Sequence, residues 1–179
     1  LHSLTSQNTD GLHLRSGFPV EKLAELHGNS NLETCSKCGA RYLRDFKVRR
    51  AGNRVHDHDT GRKCRCGGKL KDSIINFGET LPDGEWDKAD RWSEEADLCI
   101  AAGSSLTVTP AANLPEAVGR RRDSRLVIIN LQPTPLDKHA SLRIHGMVDD
   151  VMSRVAAKLG VVVPRWKLQR CVQVTYGTP

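Results

Sequence analysis

No run of apolar residues in this 179-residue chain approaches the roughly 20 needed to cross a bilayer, so a helical membrane span is excluded. Internal repeats and low-complexity tracts are also missing, which removes solenoids and repeat arrays from consideration. Hydrophobic residues make up 38% and charged residues 27%, a balance that belongs to a globular chain with one ordinary core and room for a small satellite lobe. There is no initiator methionine: the chain opens at Leu1 inside a strand-like stretch. It therefore reads as a fragment whose N-terminal part is missing. The formal net charge of +6 suits an acidic partner such as nucleic acid or chromatin, or simply solvated faces, and the runs Lys47–Arg50 and Gly119–Arg125 are its densest clusters.

Cysteine is scarce outside one region. Cys35, Cys38, Cys64 and Cys66 sit together, while Cys99 lies in an apolar run and Cys171 stands alone. Paired spacing without a secretory context favours a metal over disulfides. Four thiolates around a tetrahedral zinc would order the polar, Arg-rich segment 35–70, which has no apolar pattern with which to build a core. The Cys-x-Cys spacing of the second pair is tighter than usual, so His56 or His58 is an alternative fourth ligand, and reduced thiols without metal are the other reading. A four-cysteine site leaves no open position for catalysis.

Asp97–Gly103 and Arg125–Leu131 are near-continuous apolar runs, as parallel strands covered on both faces require. The segment between them is long enough for a crossover helix. Leu1–Ser6 and Ser141–Gly146 read as shorter strands of the same sheet, giving about four in all. Helices are expected in Phe18–Gly28, in Ala89–Ala96 and in Val148–Gly160. In the last, Val148, Val151, Met152, Val155 and Leu159 form an apolar stripe, Asp149 and Asp150 suit the positive end, and Gly160 suits the C′ position.

Open parallel sheets bind ligands at the carboxyl ends of their strands. Four polar segments fall there: Ser6–Asp10, Gly103–Ser105, Asn130–Gln132 and His145–Asp150. The first is either a turn or a pocket lining, since Asn, Asp and Gly also form turns for local reasons. His27 is either a helix cap or a base, an imidazole being able to accept a proton at neutral pH.

Taken together, SQNTDGLHLRSG, KLAELHGN, the paired cysteines, INFGE, AAGSSLTVTPAANLP, VIINLQPTP and IHGMVDDVM resemble the sirtuins, and the wording is closest to the nuclear, class IV-like branch. The resemblance covers roughly Leu4 to Pro164. It implies an α/β fold, a Rossmann-like parallel sheet (incomplete here) with a small zinc-binding lobe. Residues 1–34 would be the first part of the Rossmann-like domain, 35–72 the zinc lobe, 73–164 the second part and 165–179 a peripheral tail.

The implied activity is NAD-dependent protein-lysine deacylation, with the acyl group passed to ADP-ribose and nicotinamide released. Mono-ADP-ribosyl transfer at the same site and a non-catalytic zinc-lobed binding module are the alternatives. By position, His27 matches the catalytic base. Gln7, Asn8, Thr9 and Asp10 match the nicotinamide-ribose motif, with Thr9 where the family often has an aliphatic residue. Gly103, Ser104, Ser105, Asn130, Leu131, Gln132 and Val148 match the rest of the NAD site, and Cys35, Cys38, Cys64 and Cys66 the zinc ligands. Phe77, Gly78 and Glu79, with Thr107 and Val108, match the two segments that sandwich an acyl-lysine peptide by strand addition. The partners implied are acyl-lysine proteins such as histones, with chromatin or nucleic acid and no membrane, in the nucleus. The family's Gly-rich phosphate loop has no counterpart in the sequence, so this fragment alone is expected to be inactive while its parent is an active deacylase.

Overall fold

In a computed structural model of the chain, residues 1–165 and 167 are described; Cys171 and nearly all of the expected peripheral tail lie outside them. The N-terminal portion consists of β1 (Leu4–Ser6), the single turn α1 (Leu12–Arg15) and β2 (Leu23–Glu25). β1 and β2 pair in parallel, Leu4 opposite Leu23 and Ser6 opposite Glu25. The helix expected over Phe18–Gly28 does not form: a short 3-10 turn at Val20–Lys22 gives way to β2. Lys, Leu, Ala and Glu are good helix formers, but tertiary pairing overrides that weak preference. All three β2 residues are buried, and the Leu26 amide goes on to donate to the Ser6 carbonyl at 3.0 Å.

The cysteine-bearing lobe is a four-stranded antiparallel sheet of β3 (Leu32–Cys35), β4 (Arg41–Leu43), β5 (Asp59–Lys63) and β6 (Lys69–Asp72), in the order β4-β3-β6-β5. Its apolar cluster is small, just Cys35, Cys64 and Leu70 with Ala40 and Tyr42 against them. A polar keystone does much of the remaining ordering. The side chain of Glu33 is fully buried, and its two oxygens accept from Arg44 Nε at 2.7 Å and Arg62 Nε at 2.8 Å. Burial pushes that carboxyl upward, but the two guanidinium groups outweigh it and hold it below the usual carboxylate range.

The remainder runs α2 (Asp83–Glu95), β7 (Leu98–Ala102), α3 (Asn113–Arg120), β8 (Arg125–Ile129), β9 (Leu142–Ile144) and α4 (Val148–Lys158). β7, β8 and β9 form a parallel sheet, and α3 is the crossover helix the sequence called for. Arg121, from one of the two basic runs, is structural: its guanidinium donates to the Ser93 and Ala96 carbonyls and so closes the end of α2. The expected end of α4 is present, with the Gly160 amide donating to Ala157 at 3.1 Å and Val161 to Ala156 at 2.9 Å around a left-handed Gly160.

Three expectations, one about sheet membership and two about burial, need correction. β1 belongs to a separate two-stranded sheet with β2, so five parallel strands stand in two sheets rather than about four in one. β7 is not covered on both faces: Leu98 and Ile100 are exposed while Cys99 and Ala101 pack inward. The α4 stripe likewise has Met152, Val155 and Leu159 exposed, because among the described residues nothing packs against that face.

The two parallel sheets are joined by helices. Ala24 and Leu26, in β2 and just after it, meet Ala89 and Trp92 of α2 and Ala111 and Leu114 at the start of α3 in one buried cluster. Leu106, Leu126, Ile128 and Leu136 form a second cluster under β8. Because Trp92 is the largest buried side chain at the junction of the two sheets, Trp92→Ala is expected to cost about 3–5 kcal/mol. The check is a shift of the urea midpoint with the denaturant slope unchanged.

Candidate functional site

His27 and the Gln7–Asp10 segment are brought together by the pairing of β1 with β2. Each strand ends at the same level, so Gln7 and His27 leave the sheet side by side. His27 Nδ1 lies 3.3 Å from the Gln7 carbonyl oxygen. A carbonyl can only accept, so that nitrogen carries the proton and Nε2 is left with its lone pair free. His27 is thus neither a helix cap nor at a helix end; it sits in the tight turn that follows β2.

Gly28 makes that turn possible. Its φ is +77°, and a Cβ there would stand 1.8 Å from the Ser73 carbonyl oxygen. Ser73 comes from the strand that leaves the lobe, and Asn29 from the segment that enters it. The Asn29 amide donates to Ser73 Oγ at 3.1 Å and Ser73 Oγ donates to the Asn29 carbonyl at 3.0 Å. The Ile75 amide donates to the His27 carbonyl at 3.1 Å. Beneath this, Asn29 Nδ2 donates to both oxygens of the buried Glu25 at 3.0 and 3.1 Å. Burial raises the Glu25 carboxyl above its ordinary value, and the Asn29 bonds only partly offset that.

The Gln7–Asp10 segment does local turn work as well. Asp10 Oδ1 accepts from the Leu12 amide at 3.0 Å, and the Thr9 carbonyl accepts from the Ser30 amide at 2.7 Å. Asn8, Thr9 and Asp10 also line a cleft of about 540 Å³, facing Asn31, Phe46 and Lys47 of the lobe side. Both readings of this stretch therefore describe the same residues. Gln7 and His27 are not among the residues lining that cleft.

The other sequence-flagged polar segments gather at the carboxyl edge of β7–β9. The Gly103 amide donates to Ile129 at 2.9 Å and the Asn130 amide to Ile144 at 3.2 Å, which sets the two strand ends in line. Val148 packs over Gly103, its Cγ2 standing 3.5 Å from where a Cβ would be. In the loop, the Leu106 amide donates to Ser104 Oγ at 3.2 Å and Ser105 Oγ lies 2.8 Å from Thr107 Oγ1. Leu106 has φ +54°, a left-handed conformation that a buried leucine holds only when its surroundings enforce it. Leu131 is exposed, and Asn130 Nδ2 donates to the Gln132 carbonyl at 3.0 Å. No hydrogen bond joins this edge to the Gln7–Asp10 segment among the described residues.

Arg143 was not singled out by sequence, yet it holds this edge. Its Nη1 donates to the Asn130 carbonyl at 3.0 Å, its Nη2 to the Gln132 carbonyl, and its Nε lies 3.0 Å from Asp137 Oδ1. A lone arginine inside a short strand carries no spacing signal. Only the fold reveals that its fork spans a loop.

Phe77 is 89% exposed, with Gly78 exposed beside it. The amides of Phe77, Gly78, Thr107 and Val108 make no hydrogen bond among the described residues. Phe77 and Gly78 lie in a turn that the Glu79 amide closes on the Asn76 carbonyl at 3.1 Å, with Gly78 at φ +87°, so the unpaired amides of this pair sit at a bend rather than along an extended strand.

The four cysteines converge. All four sulfurs lie within 4.8 Å of one another, with Cys35–Cys66 at 3.5 Å, Cys38–Cys64 at 3.7 Å and Cys38–Cys66 at 3.4 Å. Tetrahedral zinc with sulfur at about 2.3 Å puts ligand sulfurs roughly 3.8 Å apart, so the set is placed to bind a structural zinc. The Tyr42 hydroxyl, 3.1 Å from Cys64, pulls that thiol down to about 6. The Gly68 amide favours the Cys66 thiolate, but the three neighbouring sulfurs outweigh it and push Cys66 up to about 12. Four such groups can all ionise only around a cation. The close Cys-x-Cys spacing is accommodated by Gly68, where a Cβ would meet Cys35 Sγ at 2.7 Å. His58 is not an alternative ligand, because both its ring nitrogens are engaged by Asp72 and Glu79, and His56 faces Glu79.

A lobe ordered by four thiolates beside a histidine turn on parallel strands defines the class, and comparison with known proteins agrees. The Sir2 family matches residues 1–110, and the chain belongs to that family. NAD-dependent protein deacetylase SRT1 of Arabidopsis thaliana is 47% identical over 167 residues, covering 92% of this chain and 34% of the relative. Human NAD-dependent protein deacetylase sirtuin-7 is 41% identical over 175 residues, covering 92% of this chain and 44% of the relative. The chain thus spans between a third and a half of those relatives' length. Among solved structures, a Sir2 homologue in complex with NAD superposes with a TM-score of 0.71 at 32% identity, covering 89% of this chain and 59% of that one. A Sir2 protein bound to an acetylated peptide gives 0.68 at 32% identity, covering 89% and 64%.

Cys38→Ser, or removal of zinc by a chelator, is expected to unfold the β3–β6 sheet while leaving β7–β9 intact, read by zinc stoichiometry and far-UV circular dichroism. Gly28→Ala is expected to destabilise the chain by at least about 2 kcal/mol through backbone strain and the Ser73 clash, read by urea denaturation.

Proposed function

We propose that this chain forms the histidine turn, the zinc lobe and part of the NAD site of a protein-lysine deacetylase that passes an acyl group to ADP-ribose. The observation that carries the reading is the fixed tautomer of His27. With Nδ1–H held by the Gln7 carbonyl at 3.3 Å, Nε2 is oriented as a base. When bound, NAD supplies an electrophilic ribose carbon with nicotinamide as the leaving group.

The residues of this chain would then divide the labour. Gln7, Asn8, Thr9 and Asp10 would bind and orient the nicotinamide ribose, an effect of positioning. His27 would take a proton from a ribose hydroxyl through Nε2. Gly103, Ser104 and Ser105 give close backbone approach, and Asn130, Leu131, Gln132 and Val148 would hold the adenosine part at the carboxyl edge of β7–β9. Phe77, Gly78 and Glu79 would pair with one side of the acyl-lysine peptide and Thr107 and Val108 with the other, the unpaired amides of Thr107 and Val108 supporting that role. In this reading the Rossmann-like part spans 1–34 and 73–164, and the lobe 35–72.

Histone and chromatin substrates in a nuclear setting are part of the same proposal. Residues 35–72 carry twelve Lys and Arg against four Asp, so the lobe holds the chain's positive surplus and would meet acidic surfaces first. Arg44, Arg49, Arg62 and Lys69 are already committed to ion pairs, which leaves the other eight for that contact.

The test is nicotinamide release from NAD by the gene product carrying this chain, with an acetyl-lysine histone peptide. Release that depends on the peptide and falls about 10²-fold or more in His27→Ala is expected. Release that survives the substitution would remove the base assignment.

A further inference from the structure

Between the lobe and the segment that follows it lies a polar cluster that no metal explains. His58 Nδ1 stands 2.9 Å from Asp72 Oδ1, and His58 Nε2 stands 2.9 Å from Glu79 Oε1. Carboxylates accept, so both ring nitrogens donate, and only the protonated imidazole has two N–H groups. The Asp72 side chain is fully buried and those of His58 and Glu79 are about four-fifths buried. Both carboxylates also hold backbone, Asp72 through the same oxygen that meets His58 and Glu79 through its other one. Asp72 Oδ1 accepts from the Ile74 amide at 3.0 Å, and Glu79 Oε2 accepts from the Asn76 amide at 2.6 Å.

We propose that His58 is a positioning residue: bridged between Asp72 and Glu79, its ring pins the Ile74–Glu79 segment to the lobe in the shape that receives the acyl-lysine peptide. The proposal rests on the peptide-binding reading of Phe77–Glu79 given above. The pinned segment also reaches the histidine turn, since the Ile75 amide donates to the His27 carbonyl at 3.1 Å. His58 therefore braces both the peptide strand and the turn that carries the base.

The other charged groups around the ring do not replace it. His56 touches only Glu79 and is largely exposed, Arg49 Nε is 4.0 Å from Asp72 Oδ2, and Lys71 lines the same cavity without pairing to either carboxylate. Burial pulls His58 down, but the bonds to Asp72 and Glu79 outweigh it and its affinity for the proton is raised above the ordinary value of 6.5. Glu79 is held well below the carboxylate range, first by the Asn76 amide and then by His56 and His58. The bracing is therefore complete below about pH 6.5 and is lost as pH rises through the raised value.

The experiment is amide hydrogen exchange of the zinc-loaded chain between about pH 6 and 9, expressed as protection factors for Ile75, Asn76 and Glu79. It is paired with the dissociation constant for an acetyl-lysine peptide. In the wild type, protection is expected to fall as pH rises. In His58→Gln it is expected to be roughly tenfold to hundredfold lower at the acid end and flat with pH, as for the loss of a charge-assisted hydrogen bond. Peptide affinity should weaken by a similar factor while zinc stoichiometry stays the same. Glu79→Gln cuts the bridge from outside the lobe and should give the same pattern; it decides the matter if His58→Gln loses zinc. Wild-type protection in both variants, or a pH dependence that persists in them, would overturn the proposal. If the wild type binds no acetyl-lysine peptide, the peptide-strand reading falls by itself, while the exchange data still decide whether His58 holds the segment.

Discussion

The contact between the backbone of Gly28 and the carbonyl of Ser73 is the constraint on which the rest of the site depends. One chain crosses into the lobe at Asn29 and returns at Ser73, and the two crossings press together with no room for a side chain. Asn29 and Ser73 exchange two hydrogen bonds across that contact, and Ile75 adds a third to His27. Because the turn carrying His27 is one wall of this junction, the imidazole inherits its position from the lobe as much as from β2. Three partly independent structures (a parallel strand pair, a metal-ordered lobe and an exposed segment) are registered to one another through about five residues.

The lobe shows how a segment without an apolar core is ordered. Its inner face carries Glu33, Asp72 and Arg62 where a conventional sheet would place aliphatic residues, so no period-two hydrophobic pattern is visible in the sequence. Order comes from charge neutralised in pairs and from sulfur that demands a cation. Replacing either device by a neutral side chain leaves buried groups without partners, which costs more than the interaction itself contributed.

What could be read in advance follows from what each element depends on. β8 and α3 are legible because local composition and tertiary role agree: an apolar strand between two neighbours, and an amphipathic crossover. The boundaries of α4 were also legible, since Asp149, Asp150 and Gly160 act locally. β2 was misread because Lys22, Ala24 and Glu25 favour a helix, and only pairing with Leu4–Ser6 makes them a strand. β7 was legible as a strand but not as an exposed one, since apolar side chains at Leu98 and Ile100 read the same whether or not anything packs against them. In the site, the cysteines declared themselves by spacing. His58 and Arg143 did not, because one is a bridge and the other a fork, and both functions exist only between segments distant in sequence.

The reciprocal bonds between Asn29 and Ser73 have an evolutionary meaning. An insertion whose two ends are already clasped together makes little demand on those of its loops that the rest of the chain does not touch. Apart from the residues that reach back across the junction, His58 to Glu79 and Arg49 to Asn76, the forty-odd residues of the lobe can thus lengthen, shed charge or exchange loops without disturbing the strands that carry His27. Variation in the lobe is thereby kept apart from the histidine turn by a glycine and a serine.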